Sequence, residues 1–212
     1  MYEVTVTADL AYADADGQPL LADLYRPATE QAPPVVLYVH GGGFAVGSRS
    51  DGAEGRLAAL AAHAVAVLSV DYRLVPAAHF PAQLHEVKAA VRWVRGCAPS
   101  LGVDGGQVGI WGASASALLA PLVGLTPGQA SPLSWVSSGA PPFLIAHGDR
   151  DRVVPATESH ALYEALVRAG ARSPGAHRGL PLRHPERFLT GRQRSEHGRA
   201  TALRMDCAAA CP

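Results

Sequence analysis

The sequence predicts an α/β protein, a mostly parallel central sheet with helices on both faces. Two observations carry this. From residue 35 onward, short valine-rich runs alternate with stretches of helical character, and such alternation builds a parallel sheet with helical crossovers. In addition, residues 40–44, Ser114 and residues 149–151 each follow a predicted strand. That is the carboxyl edge, where functional groups of such sheets gather.

The elements follow in chain order. Tyr2, Val4 and Val6 alternate with Glu3, Thr5 and Thr7, the period of a half-buried strand. Asp16-Gly17 marks a turn, and 20–25 returns as a second strand. Residues 35–39 form a continuous apolar run, hence a central strand, which ends in His40-Gly41-Gly42-Gly43-Phe44. A helix is expected over 54–64 and a buried strand over 65–70, ending in Asp71-Tyr72-Arg73. Pro81 suits the first turn of the next helix, whose apolar stripe is Leu84, Val87, Val91 and Val94. A strand over 108–111 follows, then a helix from Ala115 to at least Pro121. A strand over 143–147 and a helix over 159–169, stopped by Gly170, complete the pattern. Residues 1–171 therefore read as the α/β domain, and 172–212 as an Arg-rich irregular tail.

Composition excludes several classes. The 212 residues suffice for one domain with a real core. Formal net charge is zero, so no global field recruits nucleic acid or anionic membrane. The apolar stretch 57–70, broken by His63 and Ser69, falls short of the ~20 residues of a membrane span. The first ten residues carry no basic n-region leading into an apolar core, so no signal peptide is visible, and a cytoplasmic protein is expected. Cys97, Cys207 and Cys211 have no zinc or redox spacing, and their odd number argues against a disulfide framework.

Chemistry centres on residues 108–117. A strand runs into Gly112-Ala113-Ser114-Ala115-Ser116, so Ser114 sits on a tight strand-to-helix turn. A nucleophile elbow holds a serine there, with small residues two before and two after it because strand and helix backbones pass close. Gly112 meets the first need. Ser116 stands where the second glycine usually lies. Taken alone, the stretch also fits a small-residue turn that lets a helix pack on a sheet. Gly41, Gly43 and Gly47 miss a phosphate-binding G-x-G-x-x-G by one place, and the only lysine, Lys88, lies on a helix.

Five motifs in fixed order resemble the α/β-hydrolase fold, and within it the HGGG-bearing esterases and lipases related to hormone-sensitive lipase and to bacterial feruloyl and acetyl-xylan esterases. They are His40–Phe44, Asp71-Tyr72-Arg73-Leu74-Val75-Pro76, Phe80-Pro81-Ala82, Gly112-Ala113-Ser114-Ala115 and His147-Gly148-Asp149-Arg150-Asp151. The resemblance covers about residues 20–170 and implies a serine carboxylesterase that needs neither cofactor nor metal. Ser114 would be the nucleophile, Asp151 the acid of the triad, and the N–H groups of Gly42, Gly43 and Ala115 the oxyanion hole. His184 is the best-spaced histidine, with His177 the alternative. His40 would brace the glycine loop, and Asp71 would pair with Arg73. The expected partner is a small-molecule ester, with no nucleic acid and no membrane; no motif sets an oligomeric state.

Two departures from the family pattern stand out. Residues 125–129 run almost directly into 130–133, where the family has a long segment including a central strand. The tail beyond Arg172 lacks apolar periodicity. The strands at 108–111 and 143–147 must then pair directly or leave a slot. With so little to enclose an acyl chain, short esters are the expected substrates. An ordered front half, a mobile end beyond Arg172 and weak or absent turnover are expected. A same-fold peptidase or amidase, and a non-catalytic remnant of the fold, are the competing readings.

Overall fold

The computed structural model describes residues 1–125, 132–147, 156–171, 177–178 and Cys211. Strands β1 (Val4–Ala15) and β2 (Gln18–Pro27) form an antiparallel hairpin across Asp16-Gly17. Strand β3 (Pro34–Val39), β4 (Ala66–Val70) and β5 (Asp104–Gly112) follow. The main sheet has the order β1-β2-β4-β3-β5. Its β2–β4 pairing is antiparallel, and β3 pairs in parallel with β4 on one side and β5 on the other. The parallel part is therefore the stretch from residue 35 onward, as its helix alternation requires.

Both faces of this sheet are covered. Alternate side chains of β3 and β4 split into two cores, because successive residues of a strand point to opposite faces. Val35, Leu37, Val39, Ala66, Leu68 and Val70 pack with Leu84, Val87, Ala90, Val94 and Leu101 of α2 (Ala82–Leu101), and with Leu119 and Leu122 of α3 (Leu119–Leu125). Tyr38 and Val67 face the other way, against Leu57 and Ala61. Each fully buried Leu or Val contributes about 2 kcal/mol through the surface it removes from water. The expected helix over 54–64 is a π-helical turn, Ala53–Leu57, that runs into the short α1 (Ala58–Ala61). Pro81 precedes α2 as its cap residue rather than lying inside the first turn.

The rear of the chain differs more from expectation. Strand β6 is only Ala146–His147, and it pairs in parallel with β7 (His177–Arg178) in a separate two-stranded ribbon. Residues 143–145 are irregular. An apolar run becomes a strand only where a neighbour accepts its backbone bonds, and β6 does not join β5. Of the two outcomes foreseen for the shortened segment, direct pairing is not found. Among the described residues, β5 has no strand on its outer side. Helix α4 (Ala156–Arg168) lies between β6 and β7 in the chain. No helix of the described residues is long and apolar enough to cross a membrane.

The expectation drawn from the odd cysteine count is corrected for one pair. Cys97, buried on α2, is disulfide-bonded to Cys211, with Cα atoms 5.4 Å apart. A separation of 114 residues leaves no spacing cue in the sequence. Apart from His177, Arg178 and Cys211, the tail 172–212, and with it the expected mobility of that end, lies outside the described residues.

Candidate active site

Strand β5 delivers the chain to Ser114 along extended backbone, with Ala113 at φ −118° and ψ 133°. Ser114 itself has φ +55°. A side chain other than glycine's reaches this left-handed region at a cost of roughly 1–2 kcal/mol. A 3₁₀ turn, Ser114–Ala117, then leads into α3. The turn is as tight as the sequence requires: a Cβ added at Gly112 would lie 2.1 Å from Ser116 O and 2.9 Å from Ala117 N. Only glycine fits there. Ser114 is exposed at the apex, while Ser116 beneath it is fully buried.

The loop after β3 packs directly on this elbow. A Cβ at Gly41 would lie 2.9 Å from Ala113 O and 3.1 Å from Ser114 Cβ. Gly42 has φ +114°, and a Cβ there would meet Val46 O at 2.0 Å. The loop closes on itself, since the N–H groups of Ala45 and Val46 donate to Gly42 O at 3.0 and 3.1 Å. Among the described residues, the N–H groups of Gly42 and Gly43 donate to no backbone oxygen.

His40 lies under the loop, 1% exposed. Its Nδ1 meets Gly41 O at 2.7 Å. A carbonyl only accepts, so Nδ1 carries the proton. The His40 ring stacks on Tyr72, with centroids 4.3 Å apart and planes 10° apart. The Tyr72 hydroxyl donates to His40 O at 2.9 Å. Burial pushes the Tyr72 phenol up from its usual range, while the nearby Ser116 hydroxyl pulls the other way.

The far end of the loop is held by charge. Arg49 Nε donates to Asp23 Oδ1 at 2.8 Å, Nη1 to Asp71 Oδ2 at 2.5 Å, and Nη2 to Asp9. Its backbone N–H donates to Asp71 Oδ1 at 2.7 Å, and Ser69 Oγ donates to Arg49 O at 2.6 Å. Burial works against the guanidinium charge, but the bonds to Asp23 and Asp71 outweigh it and raise the affinity of Arg49 for its proton. The expected Asp71–Arg73 pair is therefore corrected. Arg49 occupies Asp71, and Arg73 turns to Glu86 Oε1 at 2.5 Å and Asp16 Oδ2 at 2.6 Å. Nothing in the sequence pattern singled out Arg49.

The structure thus sets Gly41 against Ser114 at the carboxyl ends of β3 and β5, with Gly42 and Gly43 next along the loop and Ala115 next along the elbow. Asp151 and His184 lie outside the described residues. His177 belongs to β7. His147, three residues before the 150–155 stretch, has its Nδ1 2.7 Å from Ser159 Oγ of α4. Among the described residues no cluster of His, Cys, Asp and Glu is arranged to hold a metal ion.

Comparison with known proteins agrees with this fold. The chain matches the BD-FAE family over residues 22–130 and 127–166. The match is split where the sequence joins 125–129 to 130–133. The chain is 28% identical over 240 aligned positions to esterase LipC of Mycobacterium tuberculosis (strain ATCC 25618 / H37Rv), covering 81% of this chain and 59% of LipC. It is 36% identical over 120 residues to an ethyl acetate hydrolase of Pseudomonas putida, covering 55% of this chain and 37% of that protein. The chain thus spans less than two thirds of the length of these curated relatives. Among solved structures, the native esterase Est2 of the planctomycete Thermogutta terrifontis superposes with a TM-score of 0.72 at 22% identity, over 84% of this chain and 82% of that one. With the elbow, the glycine loop and the parallel sheet in place, the fold is that of the α/β hydrolases, and the chain belongs to the BD-FAE family.

Proposed function

We propose that the chain is a serine carboxylesterase acting on short-chain esters. The observation that carries this reading is Ser114 held at φ +55° on the elbow, with Gly41 packed against its Cβ. Strained backbone persists only where its surroundings over-determine it, and such positions cluster at working sites. Ser114 Oγ would attack the ester carbonyl while His184 takes its proton, and Asp151 would orient the imidazole and stabilise its charged form. Charge then develops on the carbonyl oxygen beside the N–H groups of Gly42, Gly43 and Ala115. Donors fixed in place before charge develops stabilise it without reorganising, and removing one costs about 3 kcal/mol of barrier lowering. His184 returns the proton to the leaving alcohol, and water repeats the sequence on the acyl-enzyme. Backbone donors and a side-chain triad suffice for this chemistry, so no cofactor is invoked. The similarity to an ethyl acetate hydrolase supports a small acyl group, as does the short connection after α3.

The test is covalent labelling with a fluorophosphonate, together with turnover of p-nitrophenyl esters from acetyl to decanoyl. Wild type should label once, and Ser114→Ala should not label and should lose about 10³-fold or more in kcat. Turnover should be best at acetyl or butyryl. Unchanged labelling of Ser114→Ala would remove the nucleophile from this reading, and a preference for decanoyl would remove the short-chain part.

A further inference from the structure

We propose that Ser116, the residue that breaks the expected glycine pattern of the elbow, is a positioning residue that latches the elbow to the glycine loop. Its kinetic consequences rest on the hydrolase reading of Ser114; its structural ones do not. Ser116 is fully buried. Its hydroxyl donates toward His40 O and lies 3.1 Å from Ala113 O. The two carbonyls belong to different arms of the site: Ala113 links the end of β5 to the serine, and His40 is the hinge from which the glycine loop leaves β3.

A buried hydroxyl needs one acceptor, and Ala113 O, within its own turn, would serve. His40 O already accepts the Tyr72 hydroxyl at 2.9 Å. Neither group therefore needs the Ser116–His40 bond for its own satisfaction. What the bond adds is a tie across 76 residues of sequence between the two backbones that must stay in register for catalysis. The surrounding geometry transmits it. His40 donates from Nδ1 to Gly41 O at 2.7 Å, and Gly41 abuts Ser114 Cβ. A glycine at position 116 would leave the elbow and the loop joined by packing and by the Ala113 N–H to Val39 O bond at 3.4 Å. The departure from the family pattern thus adds a hydrogen bond to a turn that keeps its close backbone approach at Gly112. There is room for it because the crowding at this turn is directed at Gly112, over the Ser116 carbonyl, rather than at the Ser116 side chain.

The experiment compares wild type with Ser116→Ala and Ser116→Gly by amide hydrogen exchange and by p-nitrophenyl acetate kinetics, with active sites counted by fluorophosphonate. The informative amides are those of Ala45 and Val46, whose bonds to Gly42 O report the closed loop. In both variants their exchange should speed up about tenfold while that of β4 stays at the wild-type rate. The kcat per labelled site should fall about tenfold with KM within twofold, the pattern of groups held slightly out of place. Wild-type exchange at Ala45 and Val46 in both variants would overturn the latch, as would unchanged kcat per labelled site. A uniform rise in exchange that includes β4 would also overturn it, showing a general loss of stability instead. If wild type neither labels nor turns over ester, the hydrolase reading fails, and the exchange measurement alone decides on the latch.

Discussion

In β4 all five residues are buried, whereas in β6 neither of the two is. The helices repeat the contrast. Helix α2 buries ten of its 20 residues, including the polar Gln83 and Glu86; α4 buries Leu166 alone among its 13. The polar groups α2 takes inside are matched: Gln83 donates to Arg73 O and Ala78 O at 3.0 Å, and Glu86 receives Arg73. The difference shows how stability and chemistry divide along this chain. The glycine loop hangs from the end of β3, a strand with packing on both faces, and Ser114 from the end of β5, which buries none of its residues fully but is paired along β3. The segment that follows β6 grows from an element with little beneath it. A buried strand with helices on both faces fixes the position of whatever follows it; a two-residue ribbon has fewer means to do so.

The most severe way to break the front half is to put a side chain where its backbones cross. Gly112→Val would set Cβ 2.1 Å from Ser116 O, a main-chain atom that cannot swing aside. We expect a loss of about 3 kcal/mol, at the upper end for overpacking, measured by urea unfolding, together with loss of fluorophosphonate labelling. A variant that unfolds at the wild-type midpoint would show that the elbow is looser than described.

The contrast is sharpened by the same truncation in both helices. Leu84 of α2 is fully buried, and Leu162 of α4 only partly. Leu84→Ala should cost about 3 kcal/mol through lost burial and the cavity left behind, and Leu162→Ala about 1 kcal/mol. Equal losses would mean that α4 is as well supported as α2.

A smaller effect comes from alkali. Tyr12 is buried, its hydroxyl donates to Asp71 O at 2.5 Å, and burial first, then the charges of Glu86 and Asp71, push its pKa well above the usual 10.0. Tyr72 is also raised, again chiefly by burial. The unfolded chain therefore ionises these phenols at a lower pH than the folded one. Their contribution is intact below about pH 10 and is lost as pH rises toward the folded values, by about 1.4 kcal/mol per pH unit for each tyrosine. Unfolding midpoints measured from pH 8 to 11 should be flat, then fall. Tyr12→Phe should start from a lower plateau and fall less steeply above pH 10. An unchanged slope would show that Tyr12 is not the group responsible.

Much of the front half was legible because its signals are local. Continuous valine runs marked β3 and β4, and small residues on either side of Ser114 marked the elbow. The glycines after His40 marked a loop that must approach it. What escaped reading depends on meetings between distant segments. Arg49 finds Asp9, Asp23 and Asp71 only after β1, β2 and β4 have assembled, and no spacing rule announces that. The expected Asp71–Arg73 pair treated neighbours in sequence as neighbours in space. The apolar run over 143–147 promised a longer strand, but a strand is also a property of its partner. Ser116 was visible as an irregularity, yet its bond to His40 needs the three-dimensional crossing of two arms.

The bond between Cys97 and Cys211 makes the stretch between them a closed ring. Ser114, Asp151 and His184 all lie on that ring. A single protease cut anywhere from residue 98 to 210 would therefore open the ring without dividing the molecule. The nicked protein would migrate as one species without reductant and as two fragments with it. A chain clipped once between Ser114 and His184 would still hold both residues on one covalent body.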